Sequence, residues 1–118
     1  MVEIAMSAKR LLAMTVGIGK DCMNRHWYFV YIMTNQANRV LYTGMTNDLR
    51  RRVMEHRSGE GGAFTRRYKA GKLVYYEVFE QVMDAVGREK QIKAGTRQRK
   101  VKLIEAANPN WDDLYESL

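Results

Sequence analysis

The sequence predicts an α/β fold: a small sandwich with a three-stranded, mainly antiparallel sheet flanked by helices, in the order β-β-α-β-α-α. Three observations predict it. Two runs of aromatic and β-branched residues, "WYFVYIM" (27–33) and "VLYTGM" (40–45), are joined by the short polar stretch "TNQANR" (34–39), which makes an antiparallel hairpin. A third such run, "KLVYYEVF" (72–79), follows a glycine-rich stretch, and its nearly continuous apolar character suits a central strand. Two segments of helical period then close the chain. At 118 residues and 46% hydrophobic composition, there is material for one core in one domain.

The elements have local causes. Thr46 or Asn47 is placed to cap a helix running to about Arg57. "SGEGGAF" (58–64), with three glycines, reads as a flexible loop. Residues 81–94 form a second helix closed by Gly95, and Thr96 caps a third that runs to about Ala107, where Asn108-Pro109 stops it. Residues 1–22 are expected to be a poorly ordered extension, with the domain spanning 23–118. Within them "KRLLAMTVGIGK" has a basic start and a short apolar run but no small-residue cleavage site, which argues against a signal peptide.

The formal net charge is +7, which points to an anionic partner, nucleic acid first. Residues 47–72 hold eight Arg/Lys against three Asp/Glu, and residues 86–102 hold seven against one. Both clusters flank the predicted sheet, an arrangement suited to a phosphate backbone but equally to two solvated helix faces. The single cysteine, Cys22, excludes an internal disulfide and a cysteine-based zinc site, and suits a reducing, cytoplasmic setting. Two histidines, His26 and His56, are too few for a histidine-rich metal centre. No run reaches membrane-spanning length.

Breaks in the apolar pattern mark the candidate site. On the first helix Leu49 and Val53 define the buried stripe, with Arg52 and His56 one turn apart at its border while Arg50, Arg51 and Arg57 project elsewhere. Such a pair either snorkels at a core edge or serves a site. On the second helix Val82, Ala85, Val86 and Ile92 make the stripe, and Glu89 falls in its middle. A carboxylate there needs a partner, either Lys93 on the same face or a bound cation.

In this arrangement "VYI" (30–32), "YTG" (42–44), Arg52 eight residues after Gly44, His56, the helix "REKQIK" (88–93) and "NPNW" (108–111) together resemble the GIY-YIG nuclease superfamily, and most closely its small standalone bacterial members. The likeness runs from about Trp27 to Leu114. The first motif reads "FVY" and keeps only the tyrosine, and Met45 stands where repair members of the family often carry lysine. The resemblance implies the α/β sandwich and divalent-metal-dependent cleavage of DNA, with Mg2+ or Mn2+ as cofactor. It implies that Glu89 ligates the metal, Tyr42 acts as general base and Arg52 binds the scissile phosphate. Tyr31 would position water or phosphate, His56 would relay the proton or orient Tyr42, and Asn108 would brace the site, with Asn110 as its alternative. A phenol is a poor base at neutral pH unless a cationic site favours its anion. Arg50, Arg51, Arg66, Arg67, Lys69, Lys90, Lys93 and Arg97 are the expected nucleic-acid contacts, to single-stranded, duplex or branched DNA. Two other readings stand beside the nuclease. One is a module on the same fold that binds nucleic acid without cutting it. The other is a structural protein in which Glu89 simply pairs with Lys93.

Overall fold

The computed structural model describes residues 27–60 and 62–118, so the expected extension over 1–22 lies outside the described residues. The strands are β1 (Tyr28–Thr34), β2 (Leu41–Thr46) and β3 (Lys72–Phe79). The helices are α1 (Leu49–Ser58), α2 (Ala63–Tyr68), α3 (Val82–Ala94) and α4 (Arg97–Ala107), and a 3-10 turn spans Leu114–Ser117. The sheet order is β2-β1-β3, antiparallel throughout, with Tyr31 opposite Gly44 on one side and opposite Tyr76 on the other. Thr34 closes the hairpin by donating its hydroxyl to the Val40 carbonyl at 2.6 Å.

The middle strand is β1, which corrects the placement expected for β3. The apolar run of β3 has another cause: Leu73 to Glu77 are buried because helices or turns cover both faces of the sheet. Alternation along β1 sorts the core into two layers. Phe29, Tyr31 and Met33 face α1 and the C-terminal turn, together with Leu49, Val53, Leu73 and Tyr76. Val30 and Ile32 face α3 and α4, together with Val74, Tyr75, Ala85, Ile92 and Ile104. Fully burying one such aliphatic side chain contributes roughly 1.5–3 kcal/mol, so either layer is enough to fix which face of each strand points where. A shift of register opposite Ile32 and Met33 puts an extra residue, Val74, into β3 and keeps both layers filled.

Helix boundaries follow capping chemistry. Asp48, not Thr46 or Asn47, caps α1: its carboxylate accepts the Arg51 N–H at 3.2 Å, while the Thr46 hydroxyl accepts the Asp48 N–H at 3.1 Å and shapes the turn before it. Gly59 ends α1 with φ 87°, the left-handed conformation that favours glycine. Gly95 and Thr96 close α3 and cap α4 as expected, the Thr96 hydroxyl accepting the Arg99 N–H at 3.2 Å. The stretch read as a loop (58–64) runs into α2, whose six residues lie between Gly62 at φ 127° and Lys69 at φ 55°. Val82, expected in the buried stripe of α3, is 41% exposed; as the first residue of the helix it precedes the turn, beginning at Ala85, that rests on the sheet.

Candidate active site

Three elements bring one polar cluster together. Tyr31 projects from the middle of β1 and is 1% exposed. Tyr42, on β2, packs at the edge of the same layer. His56 falls in the buried stripe of α1 with Leu49 and Val53 and is 3% exposed, so it lies deeper than the border position expected from the helical angle. Arg52 does occupy that border, with about a third of its side chain exposed at 34%. The ring centroids of Tyr31, Tyr42 and His56 form a triangle with sides of 6.3, 5.8 and 5.2 Å. Gly44 makes room for it: a Cβ there would lie 2.5 Å from the Tyr31 hydroxyl oxygen and 2.6 Å from its Cζ. The glycine of "YTG" is therefore the surface on which the Tyr31 ring lies.

The hydrogen bonds set the electrostatics. His56 Nε2 and Tyr31 Oη are 3.0 Å apart, and the His56 ring meets that of Tyr42 edge-on. Arg52 hydrogen-bonds the same Tyr31 oxygen and also donates to Glu55 at 3.0 Å. Burial pushes the Tyr31 phenol up to about 12; the Arg52 hydrogen bond works against that rise, and Tyr42 and Glu89 add to it. Burial and the neighbouring Arg52 charge pull His56 down to about 4, so its imidazole is neutral at pH 7. His56 Nδ1 is buried without a partner. A buried N–H without an acceptor is rarer than a bare lone pair, which favours the tautomer with the proton on Nε2, donated to Tyr31.

Glu89 is near enough to act electrostatically on Tyr31. Its side chain is 21% exposed and stands 3.5 Å from the Lys93 ammonium, so the structural ion pair is present and loose. Among the described residues no group of three or more His, Cys, Asp or Glu is placed to hold a metal. A divalent ion at this site would rest on Glu89, with water and substrate oxygens completing its shell. That donor set suits magnesium, which keeps several waters and takes one or two carboxylates.

Asn108 is placed differently from the expectation. Its amide donates to the carbonyls of Val74 at 3.1 Å and Asp112 at 2.8 Å, and its oxygen accepts the Asp112 N–H at 3.0 Å. It locks the end of α4 and the following turn onto β3, and each of its bonds is to backbone. Arg97 is likewise engaged, donating to the carbonyls of Arg39 at 2.6 Å and Asn38 at 3.1 Å and so bracing the hairpin turn.

Of the other expected contacts, Arg50 donates to the Leu118 carbonyl and Arg51 lies 3.8 Å from Glu55. Arg67 stacks on Tyr68, and Lys90 and Lys93 are exposed on α3. Arg66 and Lys69 line a cavity of about 590 Å³ beside His56, together with Arg57. Arg57 is a hub with no prior signal: it bonds the Gly71 carbonyl and Asp113 and stacks on Tyr115.

A second buried polar cluster was also missed. Glu77, 1% exposed, receives Arg88 Nε at 3.0 Å and Arg88 Nη2 at 3.1 Å, together with the Tyr75 hydroxyl at 2.5 Å. Its signal was the lone carboxylate in the apolar run "KLVYYEVF".

The family model described as the GIY-YIG catalytic domain matches residues 27–102. A UPF0213 protein of Haloquadratum walsbyi is 42% identical over 79 residues, covering 67% of this chain and 88% of its own length. One from Staphylococcus saprophyticus is 37% identical over 82 residues, covering 70% and 96%. The solution NMR structure of the UPF0213 protein BH0048 from Bacillus halodurans, 29% identical, aligns with 74% of this chain and 92% of its own at a TM-score of 0.49. No helix among the described residues is long and apolar enough to cross a membrane. By the extent of the family match and the identity of these relatives, the chain belongs to the GIY-YIG catalytic domain family.

Proposed function

We propose that this chain is a divalent-metal-dependent nuclease that hydrolyses phosphodiester bonds in DNA. The observation that carries the reading is the convergence of Tyr31, Tyr42, His56 and Arg52 on one layer of the sheet, within electrostatic reach of Glu89.

Each side chain takes a role suited to its surroundings. Arg52 is permanently cationic and partly exposed, and it binds the scissile phosphate by exchanging Glu55 for phosphoryl oxygens. Tyr31, with its phenol held protonated, is a hydrogen-bond donor and not a base. It positions the phosphate or the attacking water, and His56 fixes its orientation. Tyr42 is left as the group that takes the proton from the attacking water. Magnesium or manganese held by Glu89 would supply charge neutralisation at the phosphoryl and leaving oxygens. Arg66 and Arg67 of α2, Lys69, and Lys90 and Lys93 of α3, with Arg50 and Arg51, track the backbone beyond the site.

The test uses labelled single-stranded, duplex and branched DNA with magnesium, with manganese and with chelator, beside Glu89→Ala. Metal-dependent product that disappears in the variant is the expected result. Salt-sensitive binding to every substrate without product would replace the nuclease by a binding module.

A further inference from the structure

A cavity of about 350 Å³ lies between α3 and α4, and the chemistry around Tyr31 does not use it. Its α3 wall is Arg88, Gln91, Ile92 and Gly95, and its α4 wall includes Arg99, Lys102, Leu103 and Ala106. Each set recurs at i, i+3, i+4 and i+7, so each is one helical stripe. The α3 stripe is turned away from that of Glu89 and Lys93. The two stripes face each other across a groove with an aliphatic floor of Ile92, Leu103 and Ala106.

The rim is basic, and its α4 cations are unpaired among the described residues. Arg88 is neutralised by Glu77. The side chains of Arg99, Lys100 and Lys102 make no hydrogen bond or ion pair with another described residue, and no acidic residue lines the groove. Lys100 is partly buried there, so its charge sits beside apolar surface. Free cations around an aliphatic slot call for a ligand that is anionic outside and apolar within.

We propose that this groove is a docking site for an acidic segment of a partner protein. The segment would seat one bulky apolar side chain among Ile92, Leu103 and Ala106 and lay its carboxylates against Arg99, Lys100 and Lys102. Two other occupants fit less well. Single-stranded nucleic acid is held by stacking bases on aromatic rings, and the groove has no aromatic lining. Residues 1–26 of this chain carry four Lys/Arg against two Asp/Glu, the wrong sign for this rim. A partner docked here would leave the Tyr31 layer free, so docking and chemistry would act on different faces of the sheet.

The test is fluorescence anisotropy of a dye-labelled synthetic peptide, a run of aspartates ending in leucine and phenylalanine, titrated with the full chain without metal. Saturable binding is expected. It should weaken roughly tenfold or more when asparagines replace the aspartates or serines replace the two apolar residues. Arg99→Glu with Lys102→Glu, both exposed positions, should cause a similar loss and leave the fold and DNA cleavage intact; Leu103→Ser probes the floor. Absence of saturable binding, or binding indifferent to the charge reversal, would overturn the proposal. So would full displacement of the peptide by an oligothymidine whose own affinity falls in the same variants, which would make the groove a nucleic-acid site. Dependence of peptide binding on deletion of residues 1–22 would assign the groove to the chain's own N-terminal segment. Because the readout involves neither metal nor Glu89, its failure leaves the nuclease reading untouched.

Discussion

The sheet carries a buried polar cluster on each face, and the two differ in how completely they are satisfied. On the α3 side the Glu77 carboxylate takes Arg88 on both oxygens and the Tyr75 hydroxyl, and Arg88 spends another donor on Gln91 at 2.6 Å. On the α1 side His56 Nδ1 has no partner, Tyr31 is held as a neutral phenol by burial, and Arg52 keeps about a third of its surface open. The first network is closed on itself and fixes α3 against β3. The second has groups left over for a substrate. Burial of polar groups is common to both clusters, so the proposed nuclease reading rests on the unfinished hydrogen bonding of the second.

Breaking the closed network should give the largest effect. Arg88→Ala strands a buried carboxylate and should cost about 3–5 kcal/mol in a denaturant melt; Glu77→Ala leaves the Arg88 guanidinium, 20% exposed, without its partner and should cost less. Replacing both by apolar residues of similar volume, Glu77→Leu with Arg88→Met, should recover most of that loss. If the single variants melt like the parent, the pair does not hold the helix and the contrast between the two faces collapses.

Breaking the open cluster should do the opposite. Arg52→Ala should lower cleavage by about 10²–10³-fold, the usual effect of removing one transition-state donor, while shifting the melt by less than about 1 kcal/mol because the residue is partly solvated. A large melting shift with unchanged cleavage would turn the tyrosine cluster into a second structural network.

Much of this division was legible in the sequence, and the failures have physical causes. Strand order within the hairpin followed from loop length, and the α3 and α4 ends followed from Gly95 and Thr96. Arg52, His56 and Glu89 stood out because a polar residue in or beside an apolar stripe is conspicuous at 100° per residue, whereas Tyr31 and Tyr42, on strands, entered only through the family resemblance. Glu77 was missed because one carboxylate in a strand carries no sign of which residue will meet it; Arg88 lies 11 residues away across a turn. Asn108 sat at a helix end, where capping and site bracing demand the same side chain, and the sequence alone carries no sign of the bonds it makes to Val74 and Asp112. β3 was placed centrally because an apolar run reports coverage of both faces, not a neighbour on both edges. The helix α2 is six residues long, too short for a periodicity to declare itself.

Acid should separate the two faces next. His56 has a folded value of about 4 against 6.5 for an unperturbed imidazole. Above about pH 6.5 both folded and unfolded states hold it neutral. As the pH falls towards 4 only the unfolded state takes up the proton, so stability is lost across that window, by about 3 kcal/mol at its lower end. Urea melts at pH 7, 6, 5 and 4 should show this extra slope in the parent and lose it in His56→Gln, the difference cancelling the carboxylates common to both. Equal slopes would place the His56 ring in contact with water.

The smallest change tests how the open cluster is built. Gly44→Ala puts a methyl group 2.5 Å from the Tyr31 hydroxyl oxygen, inside any tolerable contact. The backbone at Gly44 is in the paired ladder, so the tyrosine must yield, and rotating it breaks the 3.0 Å contact with His56. Overpacking of this kind costs about 1–3 kcal/mol. Cleavage should fall far more than that loss of stability explains, because Tyr31 and His56 are displaced together. Adding Tyr31→Leu to Gly44→Ala removes the clash, and it should restore the melt without restoring cleavage. If cleavage returned with the melt, the hydroxyl of Tyr31 would have no part in the chemistry, and Gly44 would serve packing alone.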